Sequence, residues 1–273
     1  MPAVATRIQV IDAADPRLDD FRDLTNADRR PDRPGGRGLV IAEGVLVVGR
    51  LVGSRYPVRS LLGVARRLDE LADGVSGLDV PAYEVTAEVM AEVVGFHLNR
   101  GVLAVADRPA PPSVDELARG RALAVLEGVN DHENLGSLFR NAAALGMDGL
   151  LLGPRCSDPL YRRSVRVSMG HVLRVPFADL CPDDVAAPWP DGLDALRGGG
   201  RRIVALTPRS EAVPLGEAGL AGARVALLLG AEGPGLSDAA LEAADEWVRI
   251  PMTDGVDSLN VATAAAIAFN ALR

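Results

Sequence analysis

Residues 122–153 run ALAVLEGVNDHENLGSLFRNAAALGMDGLLLG. An apolar run, a polar loop, a segment with helical spacing and a second apolar run follow one another, which is the order of a β-α-β unit. Neither apolar run alternates with polar residues, so both strands are expected to be buried on two faces, as in a parallel sheet covered by helices. Within the helix Leu135, Leu138, Phe139, Ala142 and Leu145 form the sheet-facing stripe, Asn134 is placed to cap its start, and Gly146 supplies a left-handed end. Arg140 falls off that stripe.

The same alternation continues downstream. VLRVPF (172–177), RRIVALTP (201–208), RVALLLG (224–230) and EWVRIP (246–251) read as further strands, with helices expected over 159–168, 191–197, 237–244 and 259–272. Residues 120–273 should therefore form a doubly wound α/β domain. Upstream, GLVIA (38–42), VRSLLGV (58–64), VPAYEV (80–85) and GVLAVA (101–106) alternate with helical patterns, which predicts a smaller α/β domain over 1–108. It opens with a short helix near 16–24 and a polar loop over 26–37. Pro109, Pro111 and Pro112 disfavour regular structure in 109–119, the predicted linker.

Composition narrows the chemistry. With 273 residues, 48% hydrophobic and 24% charged, the chain can bury a large core. All of its basic residues are arginine, so a lysine Schiff base and a P-loop lysine are both excluded. Cys156 and Cys181 are too few for a disulfide framework and are read as structural. The first 20 residues hold no apolar signal core, and no apolar run approaches the roughly 20 residues of a membrane span, so a cytoplasmic protein without membrane or metal partners is expected. A net charge of −8 argues against indiscriminate nucleic-acid binding. One stretch, 153–174, opposes Arg155, Arg162, Arg163, Arg166 and Arg174 to Asp158 alone, a local +4. It reads either as a solvated helix face or as a phosphate track, and the scarcity of acids favours the track.

Ligands of a parallel sheet bind at the carboxyl ends of its strands. No GxGxxG follows the first strand of the larger domain, which weakens a Rossmann reading. Three other loops stand out. Asn134 and Arg140 belong to the first; a helix cap and a solvated arginine are their plain readings. Glu232 sits among Gly230, Gly233 and Gly235 in the second, as a ligand-binding acid or an exposed turn residue. In the third, Asp257 or Ser258 is expected to cap the last helix, with Asn260 in its first turn. That helix is small and apolar on nearly all sides, which suggests burial partly in a subunit interface.

Taken together, NLGSLFRNA (134–142), GAEGPGLS (230–237) and IPM (250–252) with DSLNVATAAAIA (257–268) resemble the three ordered motifs of the SpoU–TrmH branch of the SPOUT methyltransferases. IAEG (41–44) and GVLAVADRP (101–109) resemble, less specifically, that family's amino-terminal RNA-substrate domain. The resemblance implies an α/β fold in which the carboxyl-terminal parallel-sheet domain is threaded into a trefoil knot. It further implies transfer of a methyl group from S-adenosylmethionine to a ribose 2′-hydroxyl of RNA, by a homodimer joined through the knotted domain. By motif, the cofactor contacts fall on Leu206, Thr207, Gly230, Ile250 and Leu259. Arg140 takes the place of the arginine that activates the hydroxyl, Asn134 and Glu232 orient it or the ribose, and Ser258 and Asn260 position substrate. Arg155, Arg162, Arg163 and Arg166 would track RNA phosphates, and the domain arrangement points to rRNA rather than tRNA.

Overall fold

A computed structural model describes residues 5–24, 38–180 and 191–273. The loop expected over 26–37 and Cys181 lie outside the described residues. The chain divides into two compact units, residues 1–110 with 158–174 and residues 111–157 with 175–273.

The first unit contains β1 (Thr6–Gln9), β2 (Leu39–Glu43), α1 (Val45–Val52), β3 (Val58–Gly63), α2 (Ala65–Leu71), β4 (Pro81–Glu84), α3 (Ala87–Val94) and β5 (Val102–Asp107). Its sheet has the order β1-β4-β3-β5-β2, with β1, β4 and β3 parallel and β5 antiparallel to both β3 and β2. Leu62, Met90, Val94, Leu103 and Val105 fill the core on one side of it, together with Leu18 and Phe21. Those last two come from a 3₁₀ helix, Pro16–Phe21, capped by Asp15, where a longer helix was expected. β1 was not foreseen. It is a largely exposed edge strand and buries too little to impose an apolar pattern.

The second unit begins with α4 (Val114–Leu117), which corrects the expectation of an irregular linker. Ser113 Oγ accepts from the Glu116 amide at 3.2 Å, and the Glu116 carboxylate accepts from the Ser113 amide at 2.8 Å. This reciprocal pair is a capping box, and the prolines before it only mark where the helix can begin. Then follow β6 (Ala122–Glu127), α5 (His132–Leu145), β7 (Gly149–Leu152), β8 (Phe177–Asp179), β9 (Arg202–Leu206), β10 (Val213–Pro214), β11 (Val225–Gly230), α7 (Asp238–Ala243), β12 (Glu246–Arg249) and α8 (Val261–Ala271), while α6 (Arg162–Val167), between β7 and β8 in the chain, belongs to the first unit. The sheet order is β10-β12-β9-β11-β6-β7-β8, and every pairing is parallel. All residues of β6 and β7 are buried, as unalternating apolar runs require when helices cover both faces.

Two departures concern residues 158–174. This segment, α6 included, belongs to the first unit and not to the second. The strand expected over 172–177 does not start there, because His171–Leu173 form a 3₁₀ helix. The strand begins only after Pro176, which has no amide to donate.

Candidate active site

Several strand ends converge on one cleft in the second unit. Its walls include Leu206 and Thr207 after β9, Gly230 at the end of β11, Ile250 after β12, and Ser258 and Leu259 before α8. They surround about 730 Å³ of space, part of it open to solvent. This is the carboxyl edge of a parallel sheet, where such folds hold ligands. The five positions expected to contact a cofactor all lie on this wall.

Local sequence accounts for its shape. Beyond Gly230 the chain folds straight back, the Gly235 amide donating to the Ala231 carbonyl at 3.0 Å. An ideal Cβ on Gly230 would come within 3.0 Å of the Gly235 and Leu236 backbone, so only glycine fits. At the exit of the loop, the Ser237 amide donates at 2.9 Å to Glu127, which is only 2% exposed at the end of β6. Sequence reasoning passed over Glu127. Its signal is an acid closing an otherwise wholly apolar strand.

At the mouth of the cleft three side chains from three loops meet. Asn260 caps α8, its Oδ1 accepting from the Ala262 and Thr263 amides at 3.0 and 3.3 Å. That orients the carboxamide, leaving Nδ2 to donate to Asn134 Oδ1 at 2.7 Å and to Glu232 Oε1 at 3.4 Å. Asn134 Nδ2 donates in turn to Glu232 Oε2 at 3.0 Å. Both oxygens of one carboxylate thus receive amide hydrogens aligned by a helix start. Two expectations are corrected here. Asp131 caps α5, accepting from the Glu133 and Asn134 amides at 2.8 Å each, which frees the Asn134 side chain. Asn260, and neither Asp257 nor Ser258, caps α8.

Arg140 is not in this network. It lies six residues beyond Asn134 on α5, about 9 Å along the axis and about 120° around it. It is exposed, it is absent from the cleft wall, and among the described residues its guanidinium makes no hydrogen bond or ion pair. The neighbouring Asn141, which sequence reasoning missed, does reach α8, donating to the Ala262 carbonyl at 2.7 Å.

The arginines of 153–174 separate into different environments. Arg155 has φ +60° and a side chain 75% exposed, with only a loose 4.0 Å approach to Glu127. Arg163 is exposed and Arg166 half-buried. Arg162 is largely buried in the first unit, 2.9 Å from the carboxylate of buried Glu43 and 4.8 Å over the Phe96 ring, and burial pushes its pKa down. Arg162 therefore serves the packing of that unit, where a solvent-facing track was expected. Arg108 likewise grips buried Asp158 through both carboxylate oxygens, at 2.5 and 2.7 Å. Burial raises the Cys156 thiol to about 11, so it stays protonated and unreactive at neutral pH. Among the described residues no cluster of His, Cys, Asp or Glu is arranged to hold a metal ion.

Comparison with known proteins puts this geometry beside others. A family model described as the SpoU rRNA methylase family matches residues 121–270. An uncharacterized tRNA/rRNA methyltransferase of Mycobacterium tuberculosis is 58% identical over 263 residues, covering 95% of this chain and 89% of the relative. The 23S rRNA guanosine 2′-O-methyltransferase RlmP of Bacillus subtilis is 28% identical, over 71% of this chain and 73% of its own length. In fold, the chain is similar to an S-adenosylmethionine-bound rRNA methyltransferase from Sinorhizobium meliloti. The TM-score is 0.79 at 25% identity, covering 98% of this chain and 97% of that one.

Proposed function

Because this chain belongs to the SpoU rRNA methylase family and is an RNA methyltransferase, we propose that it methylates a ribose 2′-hydroxyl of ribosomal RNA, using S-adenosylmethionine bound in the cleft of the second unit. The observation that carries this reading is the network of Asn134, Glu232 and Asn260 at the mouth of a cleft walled by Leu206, Thr207, Gly230, Ile250 and Leu259. The residues suit the cofactor. Leu206, Ile250 and Leu259 offer apolar surface to an aromatic base, and the crowding at Gly230 leaves peptide groups bare of side chains for its polar edges. When bound, S-adenosylmethionine supplies an electrophilic sulfonium methyl.

The chain's own residues must then hold the acceptor and ease removal of its proton, since a ribose hydroxyl is a poor nucleophile at neutral pH. Asn134, Glu232 and Asn260 form a rigid polar rim against which the ribose is set, and Ser258 lies on the same wall. Arg140 stabilises the developing alkoxide together with a substrate phosphate. A guanidinium is too weakly acidic to act as a literal base but presents a delocalised charge to both oxygens. Arg155, Arg163 and Arg166 contact RNA phosphates. The first unit recognises the RNA, the carboxyl-terminal segment is threaded as a trefoil knot, and the protein works as a homodimer through the second unit. The name of the Bacillus relative, a 23S rRNA 2′-O-methyltransferase, supports both the acceptor atom and the RNA class.

The test is to incubate the protein with methyl-labelled S-adenosylmethionine and either ribosomal RNA or transfer RNA, then digest the product to nucleosides. Label in a 2′-O-methylnucleoside from ribosomal RNA is expected. Label on a base overturns the acceptor, and label confined to transfer RNA overturns the substrate.

A further inference from the structure

We infer that Asn141 is a positioning residue for methyl transfer, acting through helix α8 without touching a reacting atom. Its Nδ2 donates at 2.7 Å to the carbonyl of Ala262, the second residue of α8, from a partly buried place. Asn141 follows Asn134 by seven residues, two helical turns to within about 20°, so both carboxamides project from one stripe of α5. Asn134 holds Asn260, just before α8, and Asn141 holds Ala262, just inside it.

Two attachments do what one cannot. A single bond at Asn260 leaves α8 free to pivot about it, whereas a second, roughly 10 Å further along α5, fixes the rotation of α8's first turn. Apolar packing alone supplies little register here. The first turns of α8 bury Val261 and the alanines 262, 265 and 268, with the large Phe269 only towards the far end, and methyl groups interlock poorly. The first turn matters because Ser258, Leu259, Val261 and Ala264 form one wall of the cleft. Asn141 therefore sets where that wall stands relative to the Asn134–Glu232–Asn260 rim.

The inference rests on the reading of that rim as part of the methyl-transfer site. Single-turnover methylation with saturating labelled S-adenosylmethionine and RNA should be measured for Asn141→Ala, Asn141→Asp and Asn134→Ala, with thermal melts establishing that each is folded at the assay temperature. Asn141→Ala is expected to slow transfer about 3- to 10-fold, the effect of losing one partly buried neutral hydrogen bond. Asn141→Asp cannot donate while ionised, so its rate relative to wild type should be as low at pH 8 and should recover as pH falls and the carboxyl regains its proton. A folded Asn141→Ala with wild-type rate, or an Asn141→Asp ratio that does not change with pH, overturns the positioning role. If Asn134→Ala also transfers normally, the reading of the site itself fails; if Asn134→Ala is inactive beside an unimpaired Asn141→Ala, only the role of Asn141 does.

Discussion

Some surface guanidinia have a neutralising carboxylate beside them. In this chain Arg7, Arg17, Arg22, Arg59, Arg67 and Arg197 all do. Arg140 does not: it is exposed, off the apolar stripe of α5, and among the described residues it has no partner. Under the proposed function that charge meets an anion of the substrate, a phosphate or the developing alkoxide. Substituting it with alanine removes no protein contact. Arg140→Ala should therefore melt as the parent does, to within about 0.5 kcal/mol, and bind S-adenosylmethionine with unchanged affinity by titration calorimetry. Its methyl transfer should fall by about 10²- to 10³-fold, the size of effect seen when one donor to a developing oxyanion is lost. A variant that still transfers at the parental rate removes Arg140 from the mechanism.

Among the secondary-structure elements, those that bury an apolar face were legible from sequence and those that do not were missed. β6, β7, β9, β11 and β12 announce themselves as apolar runs, and α5 by its stripe. β1 and the two-residue β10 are largely exposed edge pieces, and α4 was hidden behind prolines although Ser113 and Glu116 carry its cap. The three site loops were legible as strings of glycine and carboxamide at strand ends. How their side chains connect was not, because Asn134 reads as the cap of α5 until Asp131 is seen to hold that helix, and Asn260 reads as a first-turn residue until its side chain is seen to cap α8. The largest surprise is α6. Its arginines looked like a charged face because composition shows charge without showing partners, and the partner of Arg162 is Glu43, 119 residues earlier. Removing one member of a buried pair strands the other: among the described residues, Arg162→Ala leaves Glu43, 6% exposed, with only Arg100 at 3.8 Å. It should lower the urea stability of the protein by about 3 kcal/mol. Arg166→Ala, with no such pair, should stay within about 0.5 kcal/mol. Equal stability of the two variants contradicts a structural role for Arg162.

The whole molecule carries −8 and must nonetheless hold an RNA, itself a polyanion. The ion pairs explain how both can be true. Most described arginines of the first unit are neutralised within the protein, by Asp69, Asp15, Asp19, Asp107, Glu70, Asp158 or Glu43, so a count of basic residues overstates the charge available to RNA. Under the proposed function Arg140, Arg155, Arg163 and Arg166 carry the phosphate contacts, and the carboxylate nearest Arg155 is that of Glu127, at 4.0 Å. Each phosphate neutralised on a single strand contributes about −0.7 to the slope of log affinity against log salt, and each on a duplex about −0.9. Four contacts predict a slope of about −3 to −4. Binding of ribosomal RNA fragments at several salt concentrations reads this directly, and each single substitution of the four by alanine should reduce the slope by about one. A slope near −8 in the parent would mean that many paired arginines release their carboxylates to engage RNA, and the network of surface ion pairs would then be a store of binding charge and not its neutraliser.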